Sequence, residues 1–195
     1  MRKGITLIFI ILTLAAAAYA QNEKTAGGFY SQLIGFKGGG ELYFGNFKSD
    51  WSSGVFFENV MNQWLGLEIE MARTSIPISA YTVPGTTNIV TGSGKKDYIE
   101  IGGGLKFYYQ GVSMSLGACY NNFVTGYIVD TNSFHTPMTD QEVNFFSIYA
   151  GPELTAQISA DLFAKVGLRF IYGIIQESPN YTTGIRFYIS FAYGI

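Results

Sequence analysis

The end of the chain carries a pattern that few folds can accommodate. From Ile185 onward every odd position is large and apolar: Ile185, Phe187, Ile189, Phe191, Tyr193 and Ile195. The even positions, Gly184, Arg186, Tyr188, Ser190, Ala192 and Gly194, are small or polar apart from one tyrosine. Successive side chains of an extended strand point to opposite faces, so this stretch predicts a strand with one apolar and one polar side. About 9–11 residues of this kind cross a bilayer as a tilted strand.

Earlier segments repeat the alternation. In 98–109, Ile99, Ile101, Leu105, Phe107 and Tyr109 oppose Tyr98, Glu100, Gly102, Gly104, Lys106 and Tyr108. Stretches 33–44, 65–72, 112–121, 146–157 and 162–173 behave alike, and 53–60 is the least regular because Phe56 and Phe57 put an aromatic on each face. Gln110-Gly111 reads as a two-residue hairpin turn. The Gly38-Gly39-Gly40 run and Pro152 suggest local bends or bulges. Segment 45–52 reads as a short polar loop, while 74–97 and 122–142 read as long exposed loops. The eight strands are joined alternately by longer and shorter connections. That sorting predicts an all-β, eight-stranded antiparallel up-and-down transmembrane β-barrel.

Composition points the same way. Only 13% of residues are charged while 16% are aromatic, too little charge to cover a water-soluble surface of ordinary makeup. Residues 21–195 nevertheless contain no apolar run near the ~20 residues of a spanning helix, which leaves strands as the spanning element. A cleavable signal peptide precedes them at 1–20: Arg2 and Lys3, an apolar core over 5–14, then small residues at Ala18-Tyr19-Ala20 before polar Gln21. An uncleaved anchor helix is the alternative. Cys119 is the only cysteine, so neither an internal disulfide nor a thiolate metal cluster can form, and no residue pattern implies a cofactor. The net charge of -2 supplies no basic patch for nucleic acid.

Alternation alone leaves open which row faces inward. The polar rows carry Lys37, Glu41, Glu58, Glu68, Glu70, Glu100, Lys106, Glu153, Lys165, Arg169 and Arg186. Each Arg or Lys facing mid-bilayer lipid costs ~2–4 kcal/mol, so several would cancel a typical stability of ~5–15 kcal/mol. These residues are therefore expected to line the lumen as an ion-pair network, or else to mark a proton or ion path. An eight-stranded interior is just wide enough for side chains, and the row rich in Gly and Ser suits it better than the row rich in Phe, Ile and Leu. A secreted, lipocalin-like barrel with the apolar row inside is the soluble alternative. Phe44, Tyr120, Phe146 and Tyr172 at the loop end, with Tyr109 and Tyr193 at the turn end, suit interfacial aromatic girdles.

The stretch Tyr98-Ile99-Glu100-Ile101 leading to Leu105-Lys106-Phe107-Tyr108-Tyr109, the Ala150-Gly151-Pro152 step, Gly167-Leu168-Arg169-Phe170 and the final alternation together resemble the small OmpA/OmpX-type outer-membrane barrel domain, in the form common in Bacteroidetes-like bacteria. The resemblance implies residence in the outer membrane of a diderm bacterium, contact with its lipid, and insertion by the barrel-assembly machinery. That machinery reads an alternating last strand, here Phe187, Ile189, Phe191, Tyr193 and Ile195. Such strands usually end in an aromatic, whereas this one has Ile195 with Tyr193 two before it. It also implies a non-enzymatic structural, adhesive or binding role, with 74–97 and 122–142 meeting an extracellular ligand. A narrow channel is an alternative. Some barrels of this kind modify lipid A through a His with Ser or an acid, for which His135 with Asp130, Ser133 and Asp140 would be the candidates. A lone histidine in an exposed loop is the plainer reading.

Overall fold

The computed structural model describes residues 31–44, 48–82, 87–130, 132, 134–138, 144–174 and 183–195. The leader at 1–20 and the start at Gln21 lie outside the described residues. Among the described residues nine strands run in order: β1 Gln32–Tyr43, β2 Lys48–Val60, β3 Leu65–Thr82, β4 Ile89–Tyr109, β5 Val112–Asp130, β6 His135–Pro137, β7 Phe145–Gln157, β8 Leu162–Ile174 and β9 Gly184–Gly194. Every pairing is antiparallel. From β1 to β5 and from β7 to β9 each strand pairs with the next, β5 pairs with β7, and β9 returns to β1 through rungs from Leu33–Gly194 to Tyr43–Gly184, so eight strands close a barrel. The small β6 lies outside that circle, on Tyr127–Val129 of β5.

The rows divide as the charges require. On β1 the exposed and buried residues alternate: Ile34 and Phe36 face outward, and Lys37 and Glu41 face the lumen. Phe36 is 74% exposed whereas Lys106 is 0% exposed, an inversion of soluble globular order that only a hydrocarbon surround makes favourable. The soluble-barrel alternative fails on this point. Trp51 joins Phe44, Tyr120, Phe146 and Tyr172 near one rim of the outer wall, and Trp64 joins Tyr109 and Tyr193 near the other.

Turns at one end are tight. Gln110 and Gly111 have φ of 47° and 78°, the two left-handed positions of a type I′ hairpin, whose twist matches that of the flanking strands. The others, at 61–64 and 158–161, are closed by Met61 and Ile158 donating their amides to the carbonyls of Leu65 and Leu162 at 3.0 and 2.8 Å. Both chain ends of the barrel, Gln32 and Ile195, lie at this end, joined by a backbone hydrogen bond of 3.0 Å.

At the opposite end the loop expectations are corrected. Lys48 to Ser52 belong to β2, paired with 39–43 of β1. Most of 74–97 is strand, because β3 and β4 stay paired from Leu65–Phe107 to Thr82–Ile89. Most of 122–142 is strand as well: β5 runs to Asp130 and β6 folds back on it. At ~3.3 Å per residue, the 21 residues of β4 reach far beyond a bilayer. Apolar contacts explain why a Thr-, Ser- and Gly-rich segment stays extended. Ile76, Tyr98, Tyr43 and Phe145 pack together with Phe123, and above them Ile78, Ile128 and Met138 form a second cluster.

The expected bulges are also corrected. Gly38, Gly39 and Gly40 pair continuously with both neighbours. A side chain on Gly39 would run into the backbone of Phe187 and Tyr188, so close strand approach is what its hydrogen serves. Pro152 stays in register opposite Met114, and the Ala150–Phe170 and Glu153–Gly167 rungs enclose equal numbers of residues. Register shifts fall elsewhere: β4 carries an extra residue between the Ile78–Gly94 and Ala80–Thr91 rungs, and on β5 Tyr98 and Asp97 pair with Phe123 and Thr125 and leave Val124 extra. This extra residue reverses the parity of β5, so that Ile128 faces the cluster with Ile78.

Replacing Gln110 with Asn, which tolerates a left-handed φ better, should stabilise the barrel by about 0.5 kcal/mol. Gly111→Ala should instead destabilise it by about 1 kcal/mol. Urea unfolding in lipid vesicles checks both.

Candidate functional site: an ion-paired lumen and a projecting sheet

Alternation on seven of the eight barrel strands brings long ionic side chains to one axis, and the registers decide which of them meet. Glu58 and Glu68 are direct cross-strand partners, a like-charge pairing that is unfavourable by itself. Lys106 resolves it: its Nζ lies 2.6 Å from Glu58, 2.8 Å from Glu68 and 2.6 Å from Glu153. Lys165 adds a second contact to Glu58 at 2.6 Å. Arg169 and Arg186 are likewise direct partners, and they separate their charges by using different acids. Arg169 binds Glu68 and reaches Glu70 at 2.5 Å. Arg186 binds Glu41 and holds Glu100 through two nitrogens at 2.7 and 2.8 Å. Lys37 joins Glu68 and Glu70 at 2.8 and 2.6 Å. All the charged residues named for the lumen thus lie within it, six glutamates against five bases, and each has an ionic partner.

The glycines of this row make room for tyrosines as well as for charges. A side chain at Gly167 would collide with the Tyr188 ring, at Gly104 or Gly117 with the Tyr149 hydroxyl, and at Gly66 with the Tyr108 hydroxyl. The rings in turn face cations. Arg169 lies 4.1 Å from the Tyr149 centroid and 5.0 Å from that of Tyr188, and Lys37 lies 4.8 Å from Tyr188 and 5.1 Å from Phe56. Tyr188 and Tyr108 donate their hydroxyls to Glu153 and Glu58 at 3.0 and 3.1 Å. Sequence reasoning put these tyrosines on the polar row but assigned them no task. The signal was there, in aromatics facing glycines across neighbouring strands.

Apolar clusters stand at both ends of the ionic segment. Leu33, Phe56 and Ala192 with Phe163 close the tight-turn end, and the cluster around Ile76 and Tyr98 closes the other. In the latter, Tyr98 stacks edge-on against Phe145 and Phe123, with centroids 5.2 and 5.7 Å apart.

Glu70, Glu100 and Cys119 bring potential ligand atoms within 4.8 Å of one another. Both carboxylates are already held by guanidinium groups, at 2.5 and 2.7 Å, and a metal would have to displace those cations. The donor set does not fit one. Cys119 is buried, its Sγ 3.8 Å from Glu70.

Beyond the apolar wall, β3 and β4 carry a second charged group. Asp97 accepts hydrogen bonds from Ser75 at 2.5 Å and Arg73 at 2.8 Å, with Lys95 at 3.5 Å. Burial pushes its pKa up, but these hydrogen bonds and the neighbouring cations more than offset that and hold it below the ordinary carboxylate value. Next to this group lies a recess of about 620 Å3 lined by Ser49, Asp50, Pro77, Ser93, Lys95 and Tyr127, among others.

Of the candidate catalytic residues, the structure describes the backbone of His135 and the carboxylate of Asp130. The backbone of His135 pairs with Val129, and Ser133 and Asp140 lie outside the described residues. The Asp130 carboxylate accepts the amides of Asn132 and Phe134 at 2.8 and 2.9 Å, which makes it a turn-closing group.

Lys106→Met should destabilise the barrel by ~3–5 kcal/mol because three buried carboxylates lose their shared cation. Adding Glu153→Gln should restore part of that loss, as read from the urea midpoint in vesicles. Asp97 contributes stability above its unfolded pKa of about 3.9, and that contribution fades as pH falls through its lower folded value. Asp97→Asn should therefore raise protease cleavage of the β3–β4 hairpin at pH 7 and abolish the further rise that wild type shows in strong acid.

An apolar outer wall around a charged lumen, in a closed antiparallel barrel, is the architecture of bacterial outer-membrane proteins, and the chain resides in that membrane. The end with long hairpins is the extracellular one. No protein-family model matches the chain, and no curated protein matches it. Among solved structures it is similar to Ail of Yersinia pestis, at 11% identity over 85% of this chain and 99% of the other with a TM-score of 0.49. It is also similar to Neisserial surface protein A, at 13% identity over 84% and 96% with a TM-score of 0.49. A third similar structure is the N-terminal barrel domain of Pseudomonas aeruginosa OprF, at 12% identity over 83% and 96% with a TM-score of 0.40.

Proposed function

We propose that this protein is a non-catalytic, non-conducting outer-membrane scaffold that presents a rigid extracellular sheet to material outside the cell. The observation that carries this reading is at mid-lumen, where Lys106, Arg169 and Tyr188 have 0% of their surface exposed. Ion passage requires water along the path, and charges so buried and paired have none beside them. The network is then a structural core, and a proton or ion path is not its use.

The rigid part available for contact is the sheet formed by the upper halves of β3, β4 and β5 with β6. This sheet replaces the two long exposed loops as the surface on which an extracellular ligand would land. Asp130 serves its own turn, which favours a binding role over a His135-centred reaction on lipid A. The outward row of β9, from Phe187 to Ile195, lies beside the β1–β9 seam, where it could present itself to the barrel-assembly machinery during closure. A leader at 1–20 fits that route. The narrower likeness to barrels of Bacteroidetes-like bacteria is supported by the strand patterns alone, and the net charge of -2 leaves nucleic acid without a landing site.

Planar-bilayer recording tests the core of the proposal. The purified barrel should give no unitary conductance in 1 M salt at about 100 mV, a potential worth ~2.3 kcal/mol per charge. Discrete, reproducible channel steps from the folded protein would overturn it in favour of a narrow channel.

A further inference from the structure

The outward face of β3, β4 and β5 changes character within a few residues of the membrane. Met71, Ile99 and Ile101 are exposed apolar residues on the lipid-facing wall. One position higher on β3 the row turns to Arg73, whose side chain is 66% exposed and whose backbone pairs with Ile99. Asp97, paired with Ser75, draws Arg73 and Lys95 together at 2.8 and 3.5 Å. Above them Lys95 pairs with Pro77 on one side and Tyr127 on the other, and these three residues help to line the recess of about 620 Å3. Hydrocarbon-compatible surface, then cations, then a recess with hydroxyl and aromatic groups therefore follow one another along a single sheet face.

We propose that this face binds the headgroup of an outer-leaflet glycolipid, a phosphorylated and acylated saccharide. Each layer suits one part of such a molecule. Acyl chains lie along Met71, Ile99 and Ile101. The phosphate meets Arg73 and Lys95, whose donors match its oxygens. The sugar enters the recess, where Ser49 and Ser93 can exchange hydrogen bonds with ring hydroxyls and the Tyr127 ring offers an apolar body beside a polar tip. The recess volume is within the ~300–1,000 Å3 usual for small-molecule sites. Asp97 binds no ligand in this arrangement; it is a positioning residue that holds the two cations at the correct height. The continuity of the face with the apolar wall favours a membrane lipid over a soluble sugar phosphate, because a soluble ligand would have no use for the lower layer.

The test is native mass spectrometry of the detergent-solubilised full barrel with three probes: bisphosphorylated lipid A, the same lipid with its phosphates removed, and glucose 1-phosphate. Wild type should retain one lipid A and lose about tenfold occupancy when the phosphates are absent, as expected for losing charge-assisted hydrogen bonds. Lys95→Gln and Tyr127→Ala should each lower lipid A retention severalfold, and glucose 1-phosphate should not be retained. Each variant is compared with wild type for the mobility difference between unboiled and boiled samples, and the dephosphorylated probe tests the wild type without any substitution. Equal retention of phosphorylated and phosphate-free lipid, or retention that neither variant alters, would overturn the site. Glucose 1-phosphate held as well as lipid A would overturn the assignment to a membrane lipid. Bilayer conductance reads the sealed lumen separately, so either proposal can fail alone.

Discussion

Charge neutralisation among ions buried in a narrow interior is the constraint on which this barrel depends. An eight-stranded interior is about as wide as the side chains that fill it, so an ion there is compensated by another ion or not at all. Each partner in a broken buried pair is left to bear its own desolvation cost. The arrangement around Lys106 shows how the registers meet this demand. Two glutamates forced opposite each other by strand pairing become favourable once one ammonium sits between them and a third carboxylate. The Arg169–Arg186 rung solves the converse case, since each guanidinium turns toward a different pair of acids. The partners come from strands all round the barrel, so the ion pairs tie opposite walls together across the lumen as well as adjacent strands.

Volume is matched along with charge. The glycines of the inner row leave space that tyrosine rings occupy: the Tyr149 and Tyr188 rings lie against Arg169, Tyr188 also against Lys37, and the hydroxyls of Tyr108 and Tyr188 reach Glu58 and Glu153. A cation thus has carboxylates on some sides and an aromatic face on another, which limits the number of counter-charges needed. The outer wall needs no such precision because lipid is a fluid partner. Its side chains need only be apolar, with aromatic residues where hydrocarbon gives way to headgroups.

The extracellular half obeys different rules. Past Arg73 and Asp97 the sheet leaves the bilayer, and both of its faces must find cover. The inner face does so with Ile76, Ile78, Tyr98, Ile128 and Met138, which cap the lumen and keep the hairpin extended. The outer face carries cations and then polar groups. The bulge at Val124 coordinates the two, since without the extra residue Ile128 would point outward and Tyr127 inward.

The division between what could be read in advance and what could not follows from these points. Strict two-residue alternation exposed eight spanning strands, their order and the tight turns, because in a membrane barrel each residue faces one of two sharply different solvents and the pattern records which. It also placed the ionic residues on one row. The pairing of those ions, the tyrosines lodged over glycines and the persistence of β3, β4 and β5 beyond the bilayer were not legible. Segments 74–97 and 122–142 have polar, glycine-rich sequences that read as loops, and they are held as strands by contacts with distant residues such as Tyr43 and Phe145. Glycine and proline at Gly38-Gly39-Gly40 and Pro152 suggested bulges that the neighbouring strands do not require, while the bulge at Val124 had no local mark. The sequence by itself determined the two environments each strand separates; only the tertiary structure decided register, partners and the reach of the extracellular sheet, because those depend on which side chains meet across strands, and alternation within one strand carries no information about its neighbour.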